Sequence, residues 1–186
     1  MDRIILASAS PRRKLLLEWA EIPFDMIPSE TIELIPAGLL LSEVPVFLAS
    51  QKSSVVRKQI APGKIILAAD TIVVLDQEIL GKPRDRTDAI RMLSILSGQT
   101  HEVITGVSLT NGKKEILFAE TTRVRFHHFS QADIEHYVDN YRPYDKAGAY
   151  AIQEWIGVIG ILSIEGDFYN VMGLPVSKVL QELKSF

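Results

Sequence analysis

Ile4-Ile5-Leu6-Ala7-Ser8-Ala9-Ser10-Pro11-Arg12-Arg13-Lys14-Leu15-Leu16-Leu17-Glu18-Trp19 carries a strand, a turn and a helix start in one short run. Ile4 to Ala7 reads as a buried strand, extending to about residue 8, and residues 11–20 as the amphipathic helix that follows. Ser10 is a good N-cap, and Pro11 suits the first helical position because its missing N–H would have no partner there. Arg12 and Arg13 then stand in the first helical turn. That end of a helix already carries partial positive charge, so two cations there oppose the dipole. An anion resolves the conflict: unpaired backbone N–H groups, the hydroxyls of Ser8 and Ser10 and two guanidiniums would converge on a phosphate. The competing reading is two solvated arginines that happen to open a helix.

The remaining chain extends this strand–helix alternation. Phe24 to Ile27 reads as a second strand, ending in the turn Pro28-Ser29-Glu30, and residues 31–45 have no regular pattern. Pro45 to about Ile60 reads as a helix, with Leu48, Val55 and Val56 inward and Lys52, Arg57 and Lys58 outward, stopped by Ala61-Pro62-Gly63. Ile65 to Leu75 is β-rich and broken only by Asp70-Thr71, and Asp76-Gln77 turns it toward Ile79-Leu80. Thr87 to Leu96 reads as a helix ending before Gly98. Asn111-Gly112 is a hairpin signal between residues 103–109 and 116–129. Ser130 to Asp133 resembles a capping box opening a helix through about Val138. Ile156 to Ile164 reads as a buried strand, Glu165-Gly166-Asp167 as a turn, and Leu174 to Leu183 as a closing helix. Hairpins intruding into a strand–helix alternation predict an α/β fold with a mixed sheet.

The bulk properties exclude several classes. The 186 residues suit one domain, or one elongated domain of two lobes. Apolar residues make up 47% and charged residues 23%, as in an ordinary globular protein. A net charge of −3 and a pI of about 5.8 argue against a nucleic-acid groove, though not against a nucleotide. The absence of cysteine excludes disulfides, thiolate nucleophiles and cysteine-bound zinc. No apolar run approaches the roughly 18 residues of a membrane span, and the N-terminus lacks the form of a signal peptide. The expected location is the cytoplasm, with no membrane partner.

Asp70 is the sharpest single candidate. A carboxylate between Ile65-Ile66-Leu67-Ala68-Ala69 and Thr71-Ile72-Val73-Val74 is costly unless it meets a cation, a metal or hydrogen-bond donors. Such burial is also how a base is tuned. The bland alternatives are a strand-end cap or an ion pair with a structural lysine. Pro83 forces Lys82 into an extended conformation in Gly81-Lys82-Pro83, from which it could point back across the Asp70 hairpin. Both Lys82 and Lys52 also read, alone, as solvated lysines. Glu30 and Glu33 stand in the loop after the second strand, and either could give a carboxylate oxygen to a hard cation on a polyphosphate. Asp145 to Gln153 is dense in small and polar residues, and the Gln153 amide suits the edge of a base. Asn170 reads as a cap or ligand, Trp155 and Phe168 as core. The histidines lack metal-ligand spacing: His101 follows a turn, and His127-His128 would face opposite sides of a strand. Neither a serine-hydrolase triad nor a Walker-type phosphate loop is present.

Taken in order, Ser8-Ala9-Ser10-Pro11-Arg12-Arg13, Ala68-Ala69-Asp70-Thr71-Ile72-Val73, Leu80-Gly81-Lys82-Pro83, Leu96-Ser97-Gly98-Gln99-Thr100-His101, Asp145 to Gln153 and Asn170-Val171-Met172-Gly173-Leu174-Pro175 resemble the Maf family of nucleotide pyrophosphatases. The resemblance spans Ile4 to Leu183. It implies one domain over residues 1–186 with an elongated, two-lobed, ITPase-like α/β fold and a central cleft. It implies a nucleoside triphosphate substrate cut to the monophosphate and pyrophosphate with Mg²⁺ or Mn²⁺. Carried over by position, Asp70 is the proton acceptor, Ser8, Arg12 and Arg13 bind phosphate, Lys52 and Lys82 are the site lysines, and Glu33 is the acidic metal ligand beside Asp70. Arg12, Thr71 and Gln153 match the branch acting on dTTP and UTP, with modified pyrimidine nucleotides as further candidates. A nucleotide-binding regulator of cell division, without essential turnover, is the alternative, and a homodimer is a compatible assembly. One departure stands out: the family commonly follows the Gln153 position with a glycine-rich stretch, whereas this chain has Glu154-Trp155-Ile156-Gly157.

Overall fold

Two parallel neighbours flank the first strand, and this arrangement organises the sheet. In the computed structural model, which describes residues 2–29 and 35–186, β1 (Ile4–Leu6) pairs in parallel with β2 (Phe24–Met26) on one side and with β3 (Ile66–Leu75) on the other. Helix α1 (Pro11–Trp19) connects β1 to β2, and α2 (Glu43–Arg57) precedes β3. β3 turns into antiparallel β4 (Glu78–Leu80) through Asp76 and Gln77, both at positive φ, which matches the right-handed twist of a tight hairpin. After α3 (Arg86–Leu96) come β5 (Thr100–Thr110), β6 (Glu115–Phe126) and α4 (Gln131–Tyr141). α5 (Trp155–Gly160), β7 (Ile161–Glu165), α6 (Phe168–Met172) and α7 (Val176–Leu183) complete the chain. Among the described residues the strands form one seven-stranded mixed sheet in the order β2-β1-β3-β5-β6-β7, with β4 beside β3 and β7 antiparallel to β6. The mixed α/β class predicted from the sequence is observed. No helix of the described residues is long and apolar enough to cross a membrane.

The chain divides into two compact units, with boundaries inside β3, β5 and β6. The first comprises Met1–Thr71, Thr105–Glu120 and Gly173–Phe186. One of its core clusters packs Ile5, Ala7, Ile66 and Ala68 from the parallel strands against Val56 of α2. α2 docks closely because Gly106 of β5 has no side chain: a Cβ there would overlap the Pro45 carbonyl carbon and the Val46 nitrogen. Ser53, buried on α2, shares a hydrogen bond of 2.9 Å with Ser108 of β5. The second unit comprises Ile72–Ile104 and Thr121–Met172. Its buried His101 bonds the Tyr150 hydroxyl through Nε2 at 2.7 Å, and its ring packs 4.9 Å from that of Phe126.

Several local expectations hold. Ser10 and Ser130 cap α1 and α4, the latter through a reciprocal capping box with Asp133. Others need correction. α2 begins two residues before Pro45, because a proline anywhere in the first turn lacks only an N–H that would be unpaired. The hairpin turn sits one residue later than Asn111-Gly112: the Asn111 amide donates to the Lys114 carbonyl at 3.2 Å, leaving Gly112-Lys113 between them, and Asn111 Oδ1 accepts from the Lys113 and Lys114 amides at 3.0 and 2.9 Å. Residues 156–164 are not one strand. Ile156, Gly157 and Gly160 are buried while Val158 is 79% exposed, a helical spacing, and the chain becomes extended only at Ile161. Gly157 permits this helix, because a Cβ there would overlap the Ile152 carbonyl. His127 and His128 lie beyond β6, and Phe168 is exposed where core was expected.

Gly106→Ala is therefore expected to force α2 off β5 and to lower the thermal midpoint by roughly 10 °C, measured by calorimetry. A second expectation concerns acid. Burial pushes His101 from 6.5 down to about 4, so the fold holds it neutral while the unfolded chain takes up a proton. That contribution is intact above pH 6.5 and is lost as pH falls toward 4, amounting to about 3 kcal/mol. Unfolding free energies measured across this window should fall less steeply for His101→Gln than for the unaltered protein.

Candidate active site

The topology marks a place for a ligand before any side chain is considered. The chain leaves β1 for β2 on one side and later returns as β3 on the other, so direction reverses at β1. Loops at the carboxyl ends of such strands diverge and open a crevice. The residues there are Ser8 to Ser10 after β1, the start of α1, and Asp70-Thr71 on β3. Asp70 and Thr71 are the partly exposed pair in an otherwise largely buried strand.

The phosphate-binding candidates separate into two environments. Ser10 Oγ accepts from the Arg13 amide at 3.5 Å, and Ser8 Oγ accepts from the Ser10 amide at 3.1 Å, which shapes the turn. Arg12 is partly exposed on the first turn of α1. Arg13 points inward and is only 9% exposed. Its Nε donates to the Gly173 carbonyl at 2.8 Å, one terminal nitrogen to Thr71 Oγ1 at 3.0 Å, and the other to Ser8 Oγ at 3.4 Å. Thr71 Oγ1 lies 2.9 Å from Thr105 Oγ1. Arg13 thus ties the loop after β1 to β3 and to the residue before Leu174. Thr105, which the sequence reading did not single out, completes this polar line. Its signal was the same as that of Asp70: a polar side chain inside an apolar strand run, Val103 to Val107.

Lys52 is not the solvated lysine that its helical position suggested. Its Nζ forms an ion pair with Asp70 Oδ1, and the two side chains are 14% and 13% exposed. The neighbouring Ser53–Ser108 bond fixes the turn of α2 that carries Lys52. Within the first unit, hydrogen bonds join Ser8, Arg13 and Thr71, and an ion pair joins Lys52 to Asp70, the residue before Thr71 on β3. Lys82 and Gln153 belong to the second unit, and both are exposed. There the Gly81 carbonyl accepts from the Gly148 amide at 3.0 Å, joining the Lys82 turn to the segment that leads to Gln153. Asn170, in the same unit, is a structural residue: its amide donates to the Val103 carbonyl and to Thr122 Oγ1, each at 3.0 Å.

Glu30 and Glu33 lie outside the described residues. Among those described, no cluster of three or more His, Asp or Glu could cage a metal. The donor chemistry suits a different arrangement. A hard cation carried on a triphosphate takes one or two carboxylates and completes its shell with phosphate oxygens and water. Asp70 fits that role, since a carboxylate paired with one lysine keeps further acceptor sites.

Comparison with known proteins identifies the family. The chain matches the family described as "Maf-like protein" over residues 3–186. It is 47% identical to a dTTP/UTP pyrophosphatase of Porphyromonas gingivalis over 99% of this chain and 94% of that one. It is 49% identical to a dTTP/UTP pyrophosphatase of Cytophaga hutchinsonii, covering 97% of this chain and 83% of the relative. A third dTTP/UTP pyrophosphatase, from Bacteroides thetaiotaomicron, is 45% identical over 98% and 95% of the two chains. With the match running almost end to end, this chain belongs to the Maf-like family.

Proposed function

We propose that this protein is a nucleoside triphosphate pyrophosphatase that hydrolyses dTTP and UTP to the monophosphate and pyrophosphate. The observation that carries the reading is the Asp70 carboxylate, set in an apolar strand, paired with Lys52, and adjacent to the Arg13–Thr71–Thr105 line. The full-length relatives named for this activity support the nucleotide class.

The triphosphate binds with its α- and β-phosphates against the N-terminus of α1, where backbone N–H groups and Arg12 face negative charge. Arg13 holds the loop in shape through Ser8 and Thr71 and adds positive potential beneath it. Asp70 orients a water molecule and accepts its proton as the oxygen attacks the α-phosphorus. The bond from that phosphorus to the oxygen bridging the β-phosphorus breaks in line, and pyrophosphate leaves. Lys52 fixes the Asp70 carboxylate and places a cation beside the developing charge, and Lys82 is assigned to the departing pyrophosphate. Asp70, with Glu33, would hold Mg²⁺ or Mn²⁺, which supplies charge neutralisation and a more acidic bound water. Gln153 and Thr71 are assigned to selection of the pyrimidine. The same reading treats residues 1–186 as one functional domain, located in the cytoplasm and compatible with a homodimer.

Asp70→Asn should lower pyrophosphate release from dTTP by at least about a hundredfold while triphosphate binding survives. Near-normal turnover by that variant would remove Asp70 as the base. Products from the unaltered enzyme should be dTMP and pyrophosphate in equal amounts, whereas dTDP with orthophosphate would indicate attack at the γ-phosphorus. Chelation of divalent cations should abolish release, and Mg²⁺ or Mn²⁺ should restore it. Full activity in excess chelator would contradict the metal assignment.

A further inference from the structure

Glu154, the residue after Gln153, is held at both carboxylate oxygens. Tyr137 of α4 donates its hydroxyl hydrogen to Oε2, and Oε1 lies 3.5 Å from Lys146 Nζ. Lys146 is buried, and its Nζ also meets Asp145 Oδ1 at 2.7 Å. The Tyr137 hydroxyl in turn accepts from the Ala151 amide at 3.2 Å. Trp155, next along the chain, packs its ring 4.8 Å from that of His136 on the same helix. Ile152 is buried. Gln153 is therefore the exposed residue in a stretch fixed immediately before and after it.

We infer that Glu154 is a positioning residue that presents Gln153 to the nucleobase and so sets discrimination between uracil or thymine and cytosine. The inference rests on the reading above, in which Gln153 meets the base. An amide carries a donor and an acceptor side by side. The O4 acceptor of uracil or thymine and the N4 donor of cytosine occupy the same place on the ring. An amide free to shift its register can serve either base, and one arriving in a single register cannot. Glycine in place of Glu154 would remove one contact each from the Lys146 ammonium and the Tyr137 hydroxyl and would loosen the backbone beside Gln153. Ordering this segment before the ligand arrives reduces the entropy lost on binding.

The test reads binding, using α,β-methylene analogues of UTP and CTP together with inorganic tripolyphosphate, by titration calorimetry. Glu154→Gly should weaken the UTP analogue and narrow its advantage over the CTP analogue, each by about tenfold, with tripolyphosphate affinity within about twofold. Glu154→Gln, which can still accept from Tyr137, should recover most of the loss. Added to Gln153→Ala, Glu154→Gly should produce no further loss of discrimination. Tyr137→Phe provides a second route to the same clamp if Glu154→Gly does not fold. Equal weakening of all three probes, or an undiminished Glu154→Gly effect without Gln153, would overturn the proposal. So would an unaltered protein that does not favour the UTP analogue over the CTP analogue. Pyrophosphate release from UTP is measured separately. Its absence in a protein that shows the binding pattern would reject the enzymatic reading and leave the positioning role standing.

Discussion

A carboxylate inside an apolar strand is the constraint on which the first unit depends. Asp70 follows four buried residues and stands two before another buried run, and isolated there it would be strongly destabilising. Lys52 meets it, but a lysine can do so only if its helix is docked at the right depth and rotation. Gly106 allows that depth by letting β5 approach the backbone of α2. The Ser53–Ser108 bond fixes the rotation. A buried ion pair is poor evidence for stability, because well-packed apolar residues often serve as well.

Arg13 shows how one side chain can serve fold and site together. Its three donor positions reach Ser8, Thr71 and Gly173, and the last of these is 160 residues away in the chain. The loop after β1, the strand bearing Asp70 and the approach to α7 are held by one planar guanidinium. Lysine offers no such fixed fork and could not satisfy the three acceptors in the same geometry. Arg12, one residue earlier, is partly exposed. Adjacent in the chain, the two arginines stand in different environments.

The features legible in the sequence were those governed by local rules. The N-caps at Ser10 and Ser130, the Asp76-Gln77 turn and the strand–turn–helix at Ile4 to Trp19 each depend on residues a few positions apart. The cost of burying Asp70 was also legible, since its neighbours in the chain declare the environment. What was not legible depends on contacts between distant elements. Lys52 reads as solvated until α2 is placed against β5. Thr105 gains meaning only when β5 carries it to Thr71. Glu154 gains meaning only when Tyr137 and Lys146 close on it. The run from Ile156 to Ile164 failed for a different reason: a short apolar stretch fits strand and buried helix equally well, and only the close approach of Gly157 to the Ile152 carbonyl decides it.

The central claim is that water, activated at Asp70, attacks the α-phosphorus. The most direct measurement is turnover of dTTP in ¹⁸O-enriched water, with the products separated and weighed by mass spectrometry. One solvent oxygen is expected in dTMP and none in pyrophosphate. Solvent oxygen in pyrophosphate or in orthophosphate would place the attack at another phosphorus and contradict the claim.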